Sequence, residues 1–208
     1  MDGTLIDSLG FWGVMWEKIG DKYFGGAVFR PSEADDKALR TMILADVADM
    51  LHEHYAIAAS GAELLAFTEE KIVEFYSCVK AKSGVLEFLE NLQKKGVKMC
   101  LASATAPHLL AVALKTCGLE EYFEFIISCT DVGSGKDKPD IYLLARDFLG
   151  TSVEETWIFE DSHVAIGTAA RLGMPTVDIW DKHNTNQDEI RAIATHYVAE
   201  GETLLKLI

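Results

Sequence analysis

The sequence predicts a helical unit followed by an α/β unit with a parallel sheet, and three observations carry that prediction. From Ser8 to about Val79 apolar residues recur at helical spacing and no strand signal is convincing. Beyond that stretch, short apolar runs alternate with helical patterns at the spacing of βα units. Those runs are apolar almost continuously rather than alternately, as strands are when helices cover both faces of a sheet.

In the first unit, Leu39, Met42, Ile43, Val47, Met50 and Leu51 follow one another by threes and fours, which predicts one long middle helix with Ser32, after Pro31, as its N-cap. Gly25, Gly26 and Gly61 mark breaks between helices. In the second unit, Val85, Phe88, Leu89 and Leu92 make one helix face that ends at Gly96. Val97 to Ala102 is the first predicted strand, and Leu109 to Cys117 a helix stopped by Gly118. Phe123 to Cys129 is the next strand, followed by a helix from Ile141 to Leu149. Thr156 to Phe159 is a strand, Val164 to Leu172 a helix closed by Gly173, and Thr176 to Trp180 a strand. Tyr197 to Ala199 adds a short edge strand. There is no internal repeat and no low-complexity tract.

Bulk properties narrow the possibilities. With 208 residues, 49% of them hydrophobic, the chain can bury one α/β domain or a core domain carrying a smaller insert, and a fully disordered chain is excluded. Its formal net charge is −14 with acidic residues scattered throughout, so a surface that binds nucleic acid is not expected. Cys78, Cys100, Cys117 and Cys129 stand far apart without CxxC spacing and read as buried thiols of a reducing compartment. No apolar stretch approaches the roughly 20 residues of a membrane span, and Asp2 follows Met1 where a leader would be basic and then apolar. A soluble cytoplasmic protein with no membrane partner is therefore expected. Nothing in the sequence bears on oligomeric state.

In an open α/β sheet, ligands bind at the carboxyl ends of the strands. Four segments there carry chemistry: Asp2-Gly3-Thr4-Leu5-Ile6-Asp7-Ser8, Ser103-Ala104-Thr105, Gly135-Lys136-Asp137-Lys138-Pro139-Asp140, and Glu160-Asp161-Ser162. Singly, each is bland: an Asp-Gly-Thr is usually a turn, a Lys-Pro a loop, a Glu-Asp a solvated helix start. In this order and at these strand ends, the set resembles the four motifs of the haloacid dehalogenase superfamily, and the resemblance covers the whole chain.

The resemblance implies a Rossmann-like core, residues 1–8 and 80–208, with helices on both faces of a parallel sheet and an all-helical cap inserted at 9–79. It implies an Mg²⁺-dependent phosphatase that hydrolyses a small phosphorylated metabolite, a phosphomonoester, through an aspartyl phosphate. Ser103 and Ala104 would hydrogen-bond the phosphoryl group, helped by the amino end of the helix near Ala106 and Pro107. Lys136 would neutralise it, as phosphoryl transfer requires, and is preferred to its rival Lys138 because Pro139-Asp140 then keeps register. Glu160 and Asp161 would hold Mg²⁺ as hard oxygen ligands. Asp2 would be the general acid and base, with Gly3 and Thr4 turning the chain off the strand and binding the phosphate. The dehalogenases of the superfamily lack this second aspartate and need no metal, so Asp2, Glu160 and Asp161 point to phosphate chemistry. Two alternatives stay open: a sugar-phosphate mutase built from the same motifs, and a catalytically dead phosphate-binding protein.

One departure stands out. The family motif is Asp-x-Asp-Gly-Thr at the end of an apolar strand, and its first aspartate is the nucleophile; here x is Met1, so the nucleophile is expected just before Met1. A chain starting at Met1 would also lack the family's first strand, whose apolar side chains are worth on the order of 10 kcal/mol against a total stability of about 5 to 15 kcal/mol. Such a chain is expected to be marginal, aggregating or rearranged. Ala165 replaces a glycine common after Glu-Asp-Ser.

Other residues read plainly. His52 and His54, two apart on a helix, are surface residues; His108 and His163, a few residues past a motif, are bystanders. Phe11, Trp12, Met15 and Trp16 read as helix packing. Asp7 and Ser8 are caps of the first helix, and Ser162 is an N-cap.

Overall fold

The computed structural model describes residues 1–39, 42–184 and 186–208. Four helices fill the first part: α1 (Phe11–Tyr23), α2 (Glu33–Leu39), α3 (Leu44–Tyr55) and α4 (Gly61–Tyr76). The expected single middle helix is two. Ser32 does cap α2, its hydroxyl accepting from Asp35 N–H at 3.1 Å, but Met42 is non-helical and Ile43, extended at ψ 150°, opens α3. The three-and-four spacing runs through the junction because Leu39 and Val47 are buried in the same core, so periodicity alone does not register the break.

Asp7 N–H donates to Lys80 O at 3.0 Å and Lys82 N–H to Leu5 O at 2.8 Å. The chain thus enters and leaves the helical stretch through one short antiparallel contact, Ile6 opposite Ala81. The α/β part follows with α5 (Val85–Lys94), β1 (Cys100–Ser103), α6 (Pro107–Cys117), β2 (Phe125–Ser128), α7 (Cys129–Val132), α8 (Asp140–Leu149), β3 (Ile158–Glu160), α9 (His163–Arg171), β4 (Thr176–Ile179), α10 (Gln187–Ile193) and β5 (His196–Val198). Several strands are shorter than the apolar runs. Val97 to Met99 stay outside β1, and Cys129 opens α7, where Ser128 and Asp131 form a reciprocal capping box.

All described strand pairs are parallel, β1 with β2 and β3–β4–β5 in that order. The sheet is therefore in two pieces. The amino-terminal turn spans their carboxyl ends: Asp2 meets Thr105 beyond β1, and Thr4 meets Asp161 beyond β3. Helices pack on this frame through apolar faces. On α5, Val85, Phe88 and Leu89 are buried, each worth about 1.5 to 3 kcal/mol, and Phe88 meets Phe159 of β3 at 5.6 Å. α4 packs against α3 and α6, which brings the helical part over the end of β1.

All four cysteines are free, Cys117 and Cys129 buried, Cys100 half-buried. Cys78 departs from expectation and is exposed, because it lies past the end of α4 on its outer side. Among the described residues no helix is long and apolar enough to cross a membrane.

Candidate active site

A cavity of about 350 Å³ lies between the helical part and the carboxyl ends of β1 and β3. Asp2, Ser103, Ala104, Lys136, Glu160 and Asp161, drawn from four separate segments, all line it. Its other wall comes from the helices.

Ser103 ends β1 with its side chain buried, and its hydroxyl accepts from Thr105 N–H at 3.2 Å. Thr105 and Ala106 lead into α6, whose first turn carries Pro107 where a missing N–H costs nothing. The Lys136 ammonium pairs with the Glu160 carboxylate. Tyr142 of α8 holds the Lys136 loop by donating to Lys136 O at 3.2 Å. Burial works against the charge on Lys136, and Glu160 beside it outweighs that, so the lysine pKa stands above its ordinary value. Lys138 is exposed and does not line the cavity.

Glu160 closes β3, its second oxygen accepting from the N–H groups of Asp161 and Ser162 at 3.1 and 3.3 Å. Asp161 accepts from Thr4 Oγ1 at 2.8 Å and Asn184 Nδ2 at 3.0 Å. Burial first, and the Glu160 charge second, push Asp161 up to about 6. This donor set fits a hard divalent cation. It offers only carboxylate oxygens, it is buried, and its paired negative charges favour a neighbouring positive one. Among the described residues no cluster of three or more His, Cys, Asp or Glu side chains is placed to hold a metal.

Gly3 and Thr4 are not among the cavity-lining residues. They back Asp161 instead. Gly3 has φ +68°, and a Cβ there would run into the Asp161 carboxylate. Gly3→Ala is therefore expected to destabilise the fold by at least about 1 kcal/mol through the left-handed backbone alone, read as a lowered urea midpoint.

Asp2 is held from three directions. Tyr76 of α4 and Ser8 each donate to Oδ1 at 2.7 Å, and Thr105 donates to Oδ2 at 2.8 Å. Ser8 thus does not serve as the expected helix cap: α1 starts after Gly10 with no side-chain cap, and Asp7 is exposed. Ser162 occupies the N-cap position of α9 but also makes no capping bond. Phe11 and Trp12 line the cavity, whereas Met15 and Trp16 are packed away, so the stripe divides between the two uses. His163 lines the cavity; His108 faces Glu69 at 3.3 Å.

Three contributors escaped the sequence reading. Tyr76 sits in an ordinary amphipathic helix and carried no signal. Asn184 lies in a loop beyond β4 and reaches Asp161 through both its main-chain and carboxylate oxygens. Asp178 is wholly buried on β4 opposite Glu160, with neither oxygen hydrogen-bonded among the described residues; burial first, then the Asp161 and Glu160 charges, push it up to about 7. An aspartate inside an apolar strand was its visible signal.

Comparison with known proteins agrees with this arrangement. Residues 1–173 match the family of haloacid dehalogenase-like hydrolases. A Thermotoga maritima protein named phosphorylated carbohydrates phosphatase is 33% identical over 109 residues, 52% of this chain and 50% of that protein, so the chain spans half the length of that relative. The Escherichia coli GMP/IMP nucleotidase YrfG is 26% identical over 178 residues, 84% of this chain and 77% of that protein. The crystal structure of CbbY from Rhodobacter sphaeroides in complex with phosphate superposes with a TM-score of 0.80 at 18% identity, covering 95% of this chain and 90% of that one, a likeness of fold. Four motifs gathered on one cavity and a family match over most of the chain lead to one conclusion: the chain belongs to the haloacid dehalogenase-like hydrolases.

Proposed function

We propose that this chain carries the site of an Mg²⁺-dependent phosphatase acting on a small phosphomonoester through an aspartyl phosphate. The observation that supports it most is the meeting of Asp2, Ser103, Lys136, Glu160 and Asp161 on one cavity from segments far apart in sequence. In this reading Ser103 and the amino end of α6 orient the phosphoryl oxygens, and the Lys136 ammonium balances their charge. Asp161, with Glu160, holds Mg²⁺, which when bound neutralises charge on the phosphoryl group. The attacking carboxylate in this reading is the first aspartate of the Asp-x-Asp-Gly-Thr motif, of which Asp2 is the second. Asp2 delivers a proton to the leaving oxygen and later withdraws one from the attacking water, an exchange that Tyr76, Ser8 and Thr105 align. Residues 9–79 act as a cap on the core formed by 1–8 and 80–208, and closure excludes bulk water.

Phosphate release from a panel of small phosphomonoesters, before and after chelation, tests the reading. Release that chelation stops and added Mg²⁺ restores is expected; release indifferent to metal overturns the Mg²⁺ assignment. Asn184 has its own test. Asn184→Ala frees the Asp161 carboxylate on one side, and Mg²⁺ affinity measured by calorimetry is expected to fall about 10- to 100-fold, the usual effect of losing a partner that orients a metal ligand.

A further inference from the structure

The two walls of the cavity differ in chemistry. The α/β wall presents the carboxylates, Ser103, Thr105 and Lys136. The helical wall is built mainly from Phe11, Trp12, Leu39, Met42, Val47 and Ile72. Its aromatic part is backed by further rings: Trp12 stacks on Trp16 at 5.2 Å, and Phe11 meets Phe75 at 5.0 Å. The charged groups that the described residues add to this wall are the carboxylates of Glu33 and Asp36. Tyr76 also lines this wall and gives its hydroxyl hydrogen to Asp2.

We propose that the alcohol half of the substrate is a flat, largely apolar ring, an aryl or heteroaryl alcohol, and that Trp12 is a specificity-determining residue. The inference rests on the reading above, in which the phosphoryl group lies on the Ser103–Lys136 side. With the phosphate fixed there, a cavity of about 350 Å³ sets the rest of the ester against the helical wall, with His163, His183 and Asn184 also lining the space; that volume is at the small end for ligand sites. A ring on that wall removes apolar surface from water and meets Trp12 in stacked or edge-on contact. The hydroxyls of a sugar would lose their water against Phe11, Leu39, Met42, Val47 and Ile72, side chains that return no hydrogen bond, at a cost for each group left unpaired.

Equilibrium binding of phenyl phosphate, glucose 6-phosphate and inorganic phosphate to the full chain with Mg²⁺ tests this, with kcat/KM replacing affinity for any ester that is consumed. Phenyl phosphate is expected to be preferred over glucose 6-phosphate by at least tenfold. Trp12→Leu is expected to reduce that ratio at least threefold. Met42→Gln, which puts an amide on the same wall at nearly constant size, is expected to reduce it too and keeps the test decisive if the tryptophan variant fails to fold. Equal binding of the two esters, or preference for the sugar, overturns the inference while leaving the phosphatase reading intact. Absence of binding by inorganic phosphate overturns that reading and the inference with it.

Discussion

Asp2→Asn is expected to lower phosphate release by about 10²- to 10⁴-fold, the range that general acid and base catalysis contributes. The substitution keeps size and shape but removes the proton carrier. It also removes an acceptor. The carboxylate takes hydrogen bonds from Tyr76 and Ser8 on one oxygen and from Thr105 on the other, whereas an amide accepts on its oxygen alone. The Thr105 hydroxyl that donated to the second oxygen then faces an NH₂ group and has to turn to accept from it, so only a small loss of stability is expected. Measured together, rate and urea stability separate these effects: the rate loss is expected to exceed what a small fall in folded fraction explains, with inorganic phosphate still bound. A variant that keeps the full rate would remove Asp2 from the chemistry.

Lys136→Met is expected to destabilise the fold by about 3 kcal/mol, the cost of leaving one member of a buried ion pair without its partner. The side chains of Lys136 and Glu160 are 14% and 6% exposed, so solvent screens the pair little. Without the ammonium, Glu160 and Asp161 face each other as adjacent buried anions. Added Mg²⁺ is therefore expected to recover more stability in the variant than in the parent, by supplying the missing positive charge, while phosphate binding is lost because no cationic side chain remains at that position. Urea unfolding with and without Mg²⁺ checks the first point and a phosphate titration the second. An unchanged midpoint would mean that the pair contributes nothing to the fold.

Much of the α/β part was legible because burial on both faces leaves a direct mark, an apolar run, and because helix ends such as Cys117-Gly118 carry their own stop signal. The order of elements from α5 to β5 followed from those marks except for α7 and α10, two short helices that no apolar run announced. What the runs could not give was strand length: Cys129 is as apolar as the run that precedes Ser128, yet the Ser128–Asp131 capping box turns the chain into a helix there. The α2–α3 break was hidden for a related reason, since residues either side of it bury into one core and preserve the spacing. In the site, Asp2, Ser103, Lys136 and the Glu160-Asp161 pair were visible as polar residues at strand ends. Their supports were not. Tyr76 reaches Asp2 across 74 positions, and Asn184 reaches Asp161 across 23, contacts that depend on how helix and loop pack rather than on any local pattern. Gly3 and Thr4 were read as phosphate ligands from their place in the motif, but their side of the turn faces Asp161.

The central claim, that this site transfers a phosphoryl group with Mg²⁺ and the first aspartate of the Asp-x-Asp-Gly-Thr motif, is tested most directly by phosphate release from a phosphomonoester by two forms of the chain. One begins at Met1 and the other carries that aspartate in front of it. The account predicts Mg²⁺-dependent release by the longer form alone, abolished by chelation. If both forms fold and bind phosphate and neither releases any, the account is contradicted, and the site is one that binds phosphate without turning it over.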